Sequence, residues 1–568
     1  MMSWHQAGSC ACPATQPHLA LPLLVFIVVS YRVCLFSFKL PPTAHSLRIL
    51  GAMAGNWGGW YARFKSSQGL DSSLLNESYL EQLEHIEASR NETDHIGPRE
   101  RHGAMREILE LPSETKNLRP KAEKIEAQLR GADIQLLRAE EPKSPELQRT
   151  VAMLDDRSFT SERPRGNRGP LNAHQLYKLL KKRRFRDKPR TNQEQSNPAP
   201  TQHSADSSLT SVQNVEGQTE EVEPDAERRL ICINDLDRWT ICALLGTASY
   251  HEVDVLRRAL YHHITFKASI DTKPSPCGLP IYQLAFHLPY YAWRSSSRPH
   301  ENHRRDSDAQ PLRQSLDVSF LNPENPLKAY LHPAHISCVI TGPDHRRWSA
   351  YTFIDTYFDS DSDPDSDSAR DSVQYIEQLR RNDDYIVYFD PFTRGFTDAD
   401  RPVWDPMDFF LLVLRIRLDQ IHLEWTQIKD RLQESFENHE SVQAPNHRPS
   451  NSNHAPIHGK KDTLEWVGNA MKILRPLSEC LSQTVQASNR FWNGSLAEIK
   501  RNSESTNNNV SGLFPDIGTT LEELEKLDQD LRKMVEWYRD ISIGSTSKRA
   551  SMALSKASFR VRRHRKNS

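Results

Sequence analysis

Downstream of Trp404 the segment WDPMDFFLLVLRIRLDQIHLEWTQIKDRLQESF returns an apolar residue every three or four positions: Leu411, Leu414, Leu418, Ile421, Trp425, Ile428 and Leu432. That spacing keeps all seven on one stripe of a helix with 3.6 residues per turn and is incompatible with a strand, whose period is two. The start is also written: Asp405 stands at the N-cap, Pro406 at the first helical position and Asp408 three residues after the cap. TLEWVGNAMKILRPLSECLSQTVQ carries Leu464, Val467, Met471, Leu474, Leu481 and Val485 in heptad phase; Ser478 interrupts the series and Pro476 predicts a kink. A third segment, TTLEELEKLDQDLRKMVEWYRDI, carries Leu524, Leu527, Leu531, Met534 and Tyr538. Three seamed helices over 405–545 predict an antiparallel bundle or a coiled stalk, with the partner helix in the same chain or in another subunit. Each buried Leu contributes about 1.5–3 kcal/mol, so such a structure holds without a cofactor.

Residues 229–404 follow a different pattern. RLICIND is a strand candidate, and DLDRWTICALLGTASYHEVDVLRRALYHHI reads as helical with an interruption near Gly246. TFKASI, PIYQLAFHLPYYAWR, SLDVSFL and DDYIVYFDPF are β-rich, and HISCVITGPDHRRWSAYTFIDTYF has the form of a hairpin around Gly-Pro-Asp. Strands mixed with helical segments predict an α+β domain built on a mixed sheet, feeding the seamed helices.

Between these strands lies FDSDSDPDSDSARDS, with seven Asp from Asp355 to Asp371. As a calcium loop starting at Asp359 it fails twice. Pro364 occupies the position that needs a flexible glycine, and Arg370 the position of the bidentate glutamate. Residues 359–371 read as a solvated acidic loop held extended by self-repulsion.

The N-terminal part is less regular. An apolar run, 19–38, is a candidate membrane anchor with Arg32 inside it; if translation begins at Met53, residues 1–52 are upstream sequence. Residues 53–190 read as helical and unstructured stretches. Leu75, Tyr79, Leu83 and Ile86 share one face, and Leu118, Ala122, Ile125, Leu129, Ala132 and Leu136 form a short seam. The tract YKLLKKRRFRDKPR, 177–190, centres on Lys181, Lys182, Arg183 and Arg184. It reads as a solvated run, a nuclear-import signal or an anionic-lipid contact. Nucleic-acid binding is not expected, because only Tyr177 and Phe185 offer stacking faces. A polar linker, 191–228, follows, and 546–568 reads as a disordered basic tail.

Net charge is −1, so no overall field draws nucleic acid or membrane. Eight cysteines without a CxxC pair exclude zinc-ribbon patterns and point to buried free thiols. No phosphate-binding glycine loop, nucleophile elbow or HExxH occurs, and the pairs at His262 and in HENH at His300 have no supporting carboxylate–histidine spacing. No catalytic residue, cofactor or metal is therefore expected.

RLICINDLDRWTICALLGTASYHEVDVLRRALYHHITFKASI, together with GLPIYQLAFHLPYYAWR, LDVSFLN, FIDTYFD, DPFTRG and WDPMDFFLLVLRIRLDQI, resembles a group of uncharacterised proteins of filamentous fungi. Many of them continue into a membrane module similar to CorA magnesium channels. The resemblance covers about 229–545 and implies a mixed α/β cytoplasmic domain feeding long stalk helices. After Asp540 this chain has neither an apolar span nor the Gly-Met-Asn of the pore, so no pore residue carries over. The expected function is that of a non-catalytic interaction or scaffold protein, partnered or self-associated through the helical seams. The alternatives are a membrane-associated regulatory relative of a CorA-like cation channel, touching membrane through 19–38 or the basic tail, and a nuclear factor using 177–190. The body is expected in the cytoplasm.

Overall fold

Eight strands, β1 (Thr150–Arg157), β2 (Leu171–Asn172), β3 (Arg228–Asn234), β4 (Ser269–Pro274), β5 (Tyr282–Ser296), β6 (Leu316–Asp317), β7 (Lys328–Gly342) and β8 (Trp348–Ile354), form one mixed sheet in the computed structural model. The structure describes residues 70–91, 103–110, 119–141, 144–160, 164–165, 169–186, 223–274, 281–300, 302–305, 309–323, 326–359, 390–443, 457–496, 499 and 512–566. All of them belong to one unit, Gly59–Ser568. Strand order is β2-β1-β3-β8-β7-β5-β4, with β6 beside β7. β3 and β8 are parallel and every other pair is antiparallel.

Alternation along the strands feeds two cores. Leu230, Cys232, Leu284, Phe286, Ile336 and Cys338 enter one, and Ile231, Ile233, Ala285, Val339 and Phe353 the other. With both faces covered, β3 and β8 are buried at every residue, as a parallel pair normally is.

The first face is covered by the seamed helices α9 (Pro406–Gln443), α10 (Ile457–Phe491) and α11 (Leu513–Lys566). Asp405 caps α9 as its sequence predicts, its Oδ1 accepting from Met407 N at 2.9 Å and Asp408 N at 3.2 Å. Leu411, Leu414, Leu418, Ile421, Trp425, Ile428 and Leu432 are all buried, as are Leu524, Leu527, Leu531 and Tyr538, with Met534 partly buried. They pack in the same core as β5 and β7, so the seams are filled within this one chain. Helix α10 runs on through Pro476. Helix α11 continues to Lys566, where a disordered basic tail was expected; the stretch is rich in Ala, Ser, Lys and Arg, which a helix accommodates.

The opposite face carries α1 (Tyr79–Asn91), α2 (Gly103–Glu110), α3 (Arg119–Leu129), α4 (Ile134–Arg138), α5 (Pro145–Gln148), α6 (Ala173–Leu180), α7 (Arg238–Thr247) and α8 (Tyr250–Ile264). Here the expected boundary at 190/229 fails. β1 pairs with β3 along Ala152–Arg157, and Tyr79, Leu83, Ile108, Ile125 and Leu176 share a core with α7 and α8. A central strand with its neighbour removed would expose a row of unpaired backbone groups, so 150–180 belongs to the sheet domain. The short seam expected over Leu118–Leu136 is cut as well. Helix α3 ends at Leu129, Gly131 turns at φ +84°, and Leu136 is exposed. Leu118, the strand candidate before Asp390, the run 19–38, the linker 191–222 and the acidic stretch beyond Asp359 lie outside the described residues. Among the described residues no helix is long and apolar enough to cross a membrane.

A buried polar cluster at the strand ends

The parallel pair ends in register at Asn234 and Ile354, and the next residue of each strand is an aspartate. Asp235 turns the chain with φ +52°, a conformation that Asp tolerates better than most residues. Its carboxylate accepts from Thr356 N at 3.0 Å, Tyr357 N at 3.2 Å and Thr356 Oγ1 at 2.8 Å, tying the end of β3 to the chain leaving β8. Asp355 accepts from His335 N at 3.0 Å on β7, Arg304 Nη1 at 2.5 Å and Arg313 Nε at 3.2 Å. Both arginines come from the segment that precedes β6. Asn302 Oδ1 accepts from Arg304 N and Nε, while Arg313 donates to Ile264 O at 3.0 Å and to His263 O. One carboxylate thus fastens that segment, the end of α8, the middle of β7 and the end of β8 together. Burial pushes Asp355 up, but Arg304, His263 and Arg313 more than offset it and hold the carboxyl well below the usual range.

Histidines extend the cluster along the sheet. His263 Nε2 lies 3.2 Å from Asp355 Oδ1 and its Nδ1 3.1 Å from Ser337 Oγ; His287 Nδ1 lies 2.9 Å from the same hydroxyl. His287 and Ser337 are opposed in the β5–β7 register, which sets that last contact. One assignment satisfies all three: His287 donates to Ser337, Ser337 donates to His263, and His263 donates to Asp355. His335, two residues before Ser337, stands 4.9 Å from His263 ring to ring and has both ring nitrogens buried without a partner. His262 stacks on His287 at 4.8 Å. Burial depresses every one of these histidines, His262 to about 4, and His263 and Arg313 press His335 down further.

Ser337, His263 and Asp355 stand in the order of a nucleophile, base and carboxylate. Their surroundings do not suit turnover. All three side chains are buried, Ser337 Oγ is already engaged by two imidazoles, and Asp355 is saturated by two guanidinium groups. A nucleophile needs space beside it for a reacting atom. The arrangement acts as a clamp. Among the described residues no group of His, Cys, Asp and Glu is placed to hold a metal ion.

The sequence-predicted residues lie elsewhere. The seam residues of α9 and α11 sit in the core on the side of Ile336 and Cys338, the opposite face from Ser337. Of the basic tract, Lys181 pairs with Glu81 and Lys182 with Glu223 at 3.3 Å, while Arg184 is buried. Arg184 donates to Ala226 O at 2.5 Å, Ser349 Oγ at 2.7 Å, Glu227 O at 2.8 Å and Trp348 O at 2.6 Å, so it pins α6 to the sheet. Burial, reinforced by Arg229, brings its guanidinium down to about 10. Arg183 is not buried, and 187–190 lie outside the described residues. The expected solvated run is therefore half structural.

Sequence reasoning missed the clamp. In the sequence Asp355 is only the first of seven Asp running to Asp371, and His263 belongs to a pair with no supporting carboxylate–histidine spacing. The available signal was FIDTYFD, where an aspartate follows directly on a fully buried strand. Comparison with known proteins adds no relative: no protein-family model matches the chain, and no curated protein matches it.

Proposed function

We propose that this chain is a non-catalytic interaction protein, a CorA-like soluble domain whose long last helix serves as the contacting arm. The reading rests on the length of α11. At about 1.5 Å per residue, its 54 residues span about 81 Å, against about 57 Å for the 38 of α9 and about 53 Å for the 35 of α10. The contacts Arg415–Asp516, His422–Glu523 and Phe436–Tyr538 run α11 alongside α9 in the same direction, so an overhang of about 21 residues, about 32 Å, extends beyond Gln443. A lone helix of that kind is marginal in water and gains stability from a partner. Because α9 and α11 bury their seams internally as far as Tyr538, the contact falls to the overhang, and its basic residues fit an acidic surface of a second copy of the chain rather than a second arm.

The test is hydrogen exchange on the full chain across a concentration series, alongside light scattering. The expected result is growing protection of amides in 545–566 as mass rises. A monomer at every concentration with those amides unprotected would overturn the reading. A membrane-associated role as a relative of CorA-like channels is the second reading, supported by eight basic residues and no acid between Lys548 and Lys566. Binding to vesicles of anionic but not neutral lipid is its expected mark. A nuclear role through Lys181–Arg184 has least support, since Arg184 is buried and fully engaged.

A further inference from the structure

Four times the chain places two bases, the second an arginine, three and two residues before a serine: Arg304-Arg305-Asp306-Ser307, Arg346-Arg347-Trp348-Ser349, Lys500-Arg501-Asn502-Ser503 and Lys548-Arg549-Ala550-Ser551. A serine kinase with an acidic substrate cleft reads such bases by charge. The fold removes the two arginine pairs from its reach. Ser349 is buried in β8, where its Oγ accepts from Arg184 Nη1 at 2.7 Å and donates to Glu252 Oε1 at 2.6 Å. Arg347 is engaged by Asp344, Leu70 O and Ser72. Arg304, ahead of Ser307, is buried and bonded to Asp355 and Asn302. Ser307 and Ser503 lie outside the described residues. Ser551 stands on α11, on the stretch that runs past the level of Gln443. Rich in serine and rooted at Gly544, that stretch opens locally at little cost, as entry into a kinase cleft requires of a helix.

We propose that Ser551 is a phosphorylation site for a serine kinase that selects basic substrates. The γ-phosphoryl group of ATP passes to Ser551 Oγ, its bond to the bridging oxygen breaks so that ADP leaves, and the hydroxyl proton goes to the kinase's catalytic base. The phosphate adds a charge of about −2 to Lys548–Lys566, which holds eight bases and no acid, and so lowers that stretch to about +6. The consequence rests on the reading above, in which these bases dock on an acidic surface of a second copy: phosphorylation weakens the docking and releases the arm.

The full chain, incubated with ATP and the catalytic subunit of cyclic-AMP-dependent protein kinase, provides the test, with modified serines mapped by peptide mass spectrometry. Ser551 is expected to fill to about one phosphate per chain and Ser349 to stay unmodified. Arg549→Ala should slow modification of Ser551 about tenfold or more. No phosphate on Ser551, phosphate on Ser349 ahead of it, or an Arg549→Ala protein modified at the wild-type rate overturns the proposal. Light scattering across a concentration series then reads the release. At low salt the phosphorylated chain is expected to need about tenfold more protein to associate, while Ser551→Ala taken through the same reaction behaves as unmodified chain. If the unmodified chain is a monomer throughout, the docking reading fails and the site stands. If it associates and phosphate on Ser551 leaves the midpoint in place, the release fails.

Discussion

Under α9–α11 the sheet meets Leu414, Leu418, Trp425 and Leu474, and shape complementarity does the joining. At the ends of β3 and β8 the joining is done by Asp355, Arg304, Arg313 and His263. Both regions are equally buried, yet they fail differently. An apolar layer loses stability in proportion to the atoms removed and the cavity left behind. A buried ionic clamp loses more from one missing partner than the whole cluster contributes, because the remaining charges stay buried and unpaired.

The most severe single change should therefore be Asp355→Ala, which strands Arg304, Arg313 and the His335 amide. We expect about 3–5 kcal/mol lost in urea unfolding; a loss under 1 kcal/mol would show that the clamp does not hold the segment before β6. In the apolar layer, Leu418→Ala should cost about 3 kcal/mol by the same measurement, and Leu418→Met under about 1.5 kcal/mol, since volume is nearly kept. An ionic site would not grade so smoothly.

Acid separates the two regions next. His262, with a folded pKa of about 4 against an ordinary 6.5, binds its proton in the unfolded chain first. Its contribution is complete above about pH 6.5 and is lost as pH falls towards 4, on the order of 1–2 kcal/mol between pH 7 and 5. His263, His287 and His335 act in the same direction. Asp390, which caps the short turn at Pro391–Thr393, opposes them: burial raises it to about 6, so its contribution is greatest below about 3.8 and disappears as pH rises through 6. Urea midpoints from pH 7 to 4 should fall overall, and replacing Asp390 by Asn should steepen the fall.

His335→Leu should raise stability by about 1 kcal/mol at pH 7, because it removes two buried ring nitrogens that have no partner. A loss of that size would reveal a partner for the ring, such as an ordered water. The smallest effect belongs to Leu423, well exposed on α9 between half-buried His422 and Glu424; Leu423→Ser should stay within about 0.5 kcal/mol.

The α+β class, the cap at Asp405 and the buried stripe from Leu411 to Leu432 were all legible, because each depends on residues close together in sequence. The place of β1 was not. TVAMLDDR is short and carries two aspartates and an arginine, and it becomes a strand through pairing with β3, whose residues lie more than seventy positions away. The fate of Arg184 was equally hidden, since its four acceptors come from 226–227 and 348–349.

Periodicity alone established where the long helices run and which of their sides is apolar, since a 3.6-residue repeat is a property of neighbours along the chain. It could not say what those sides would meet, and folding set them against the chain's own sheet. The polar clamp left one local trace, the aspartate that follows directly on β8. Asp355, His263, Ser337 and the pair Arg304 and Arg313 come from four separate segments, and a charged group becomes structural only when distant parts of the chain exclude water around it.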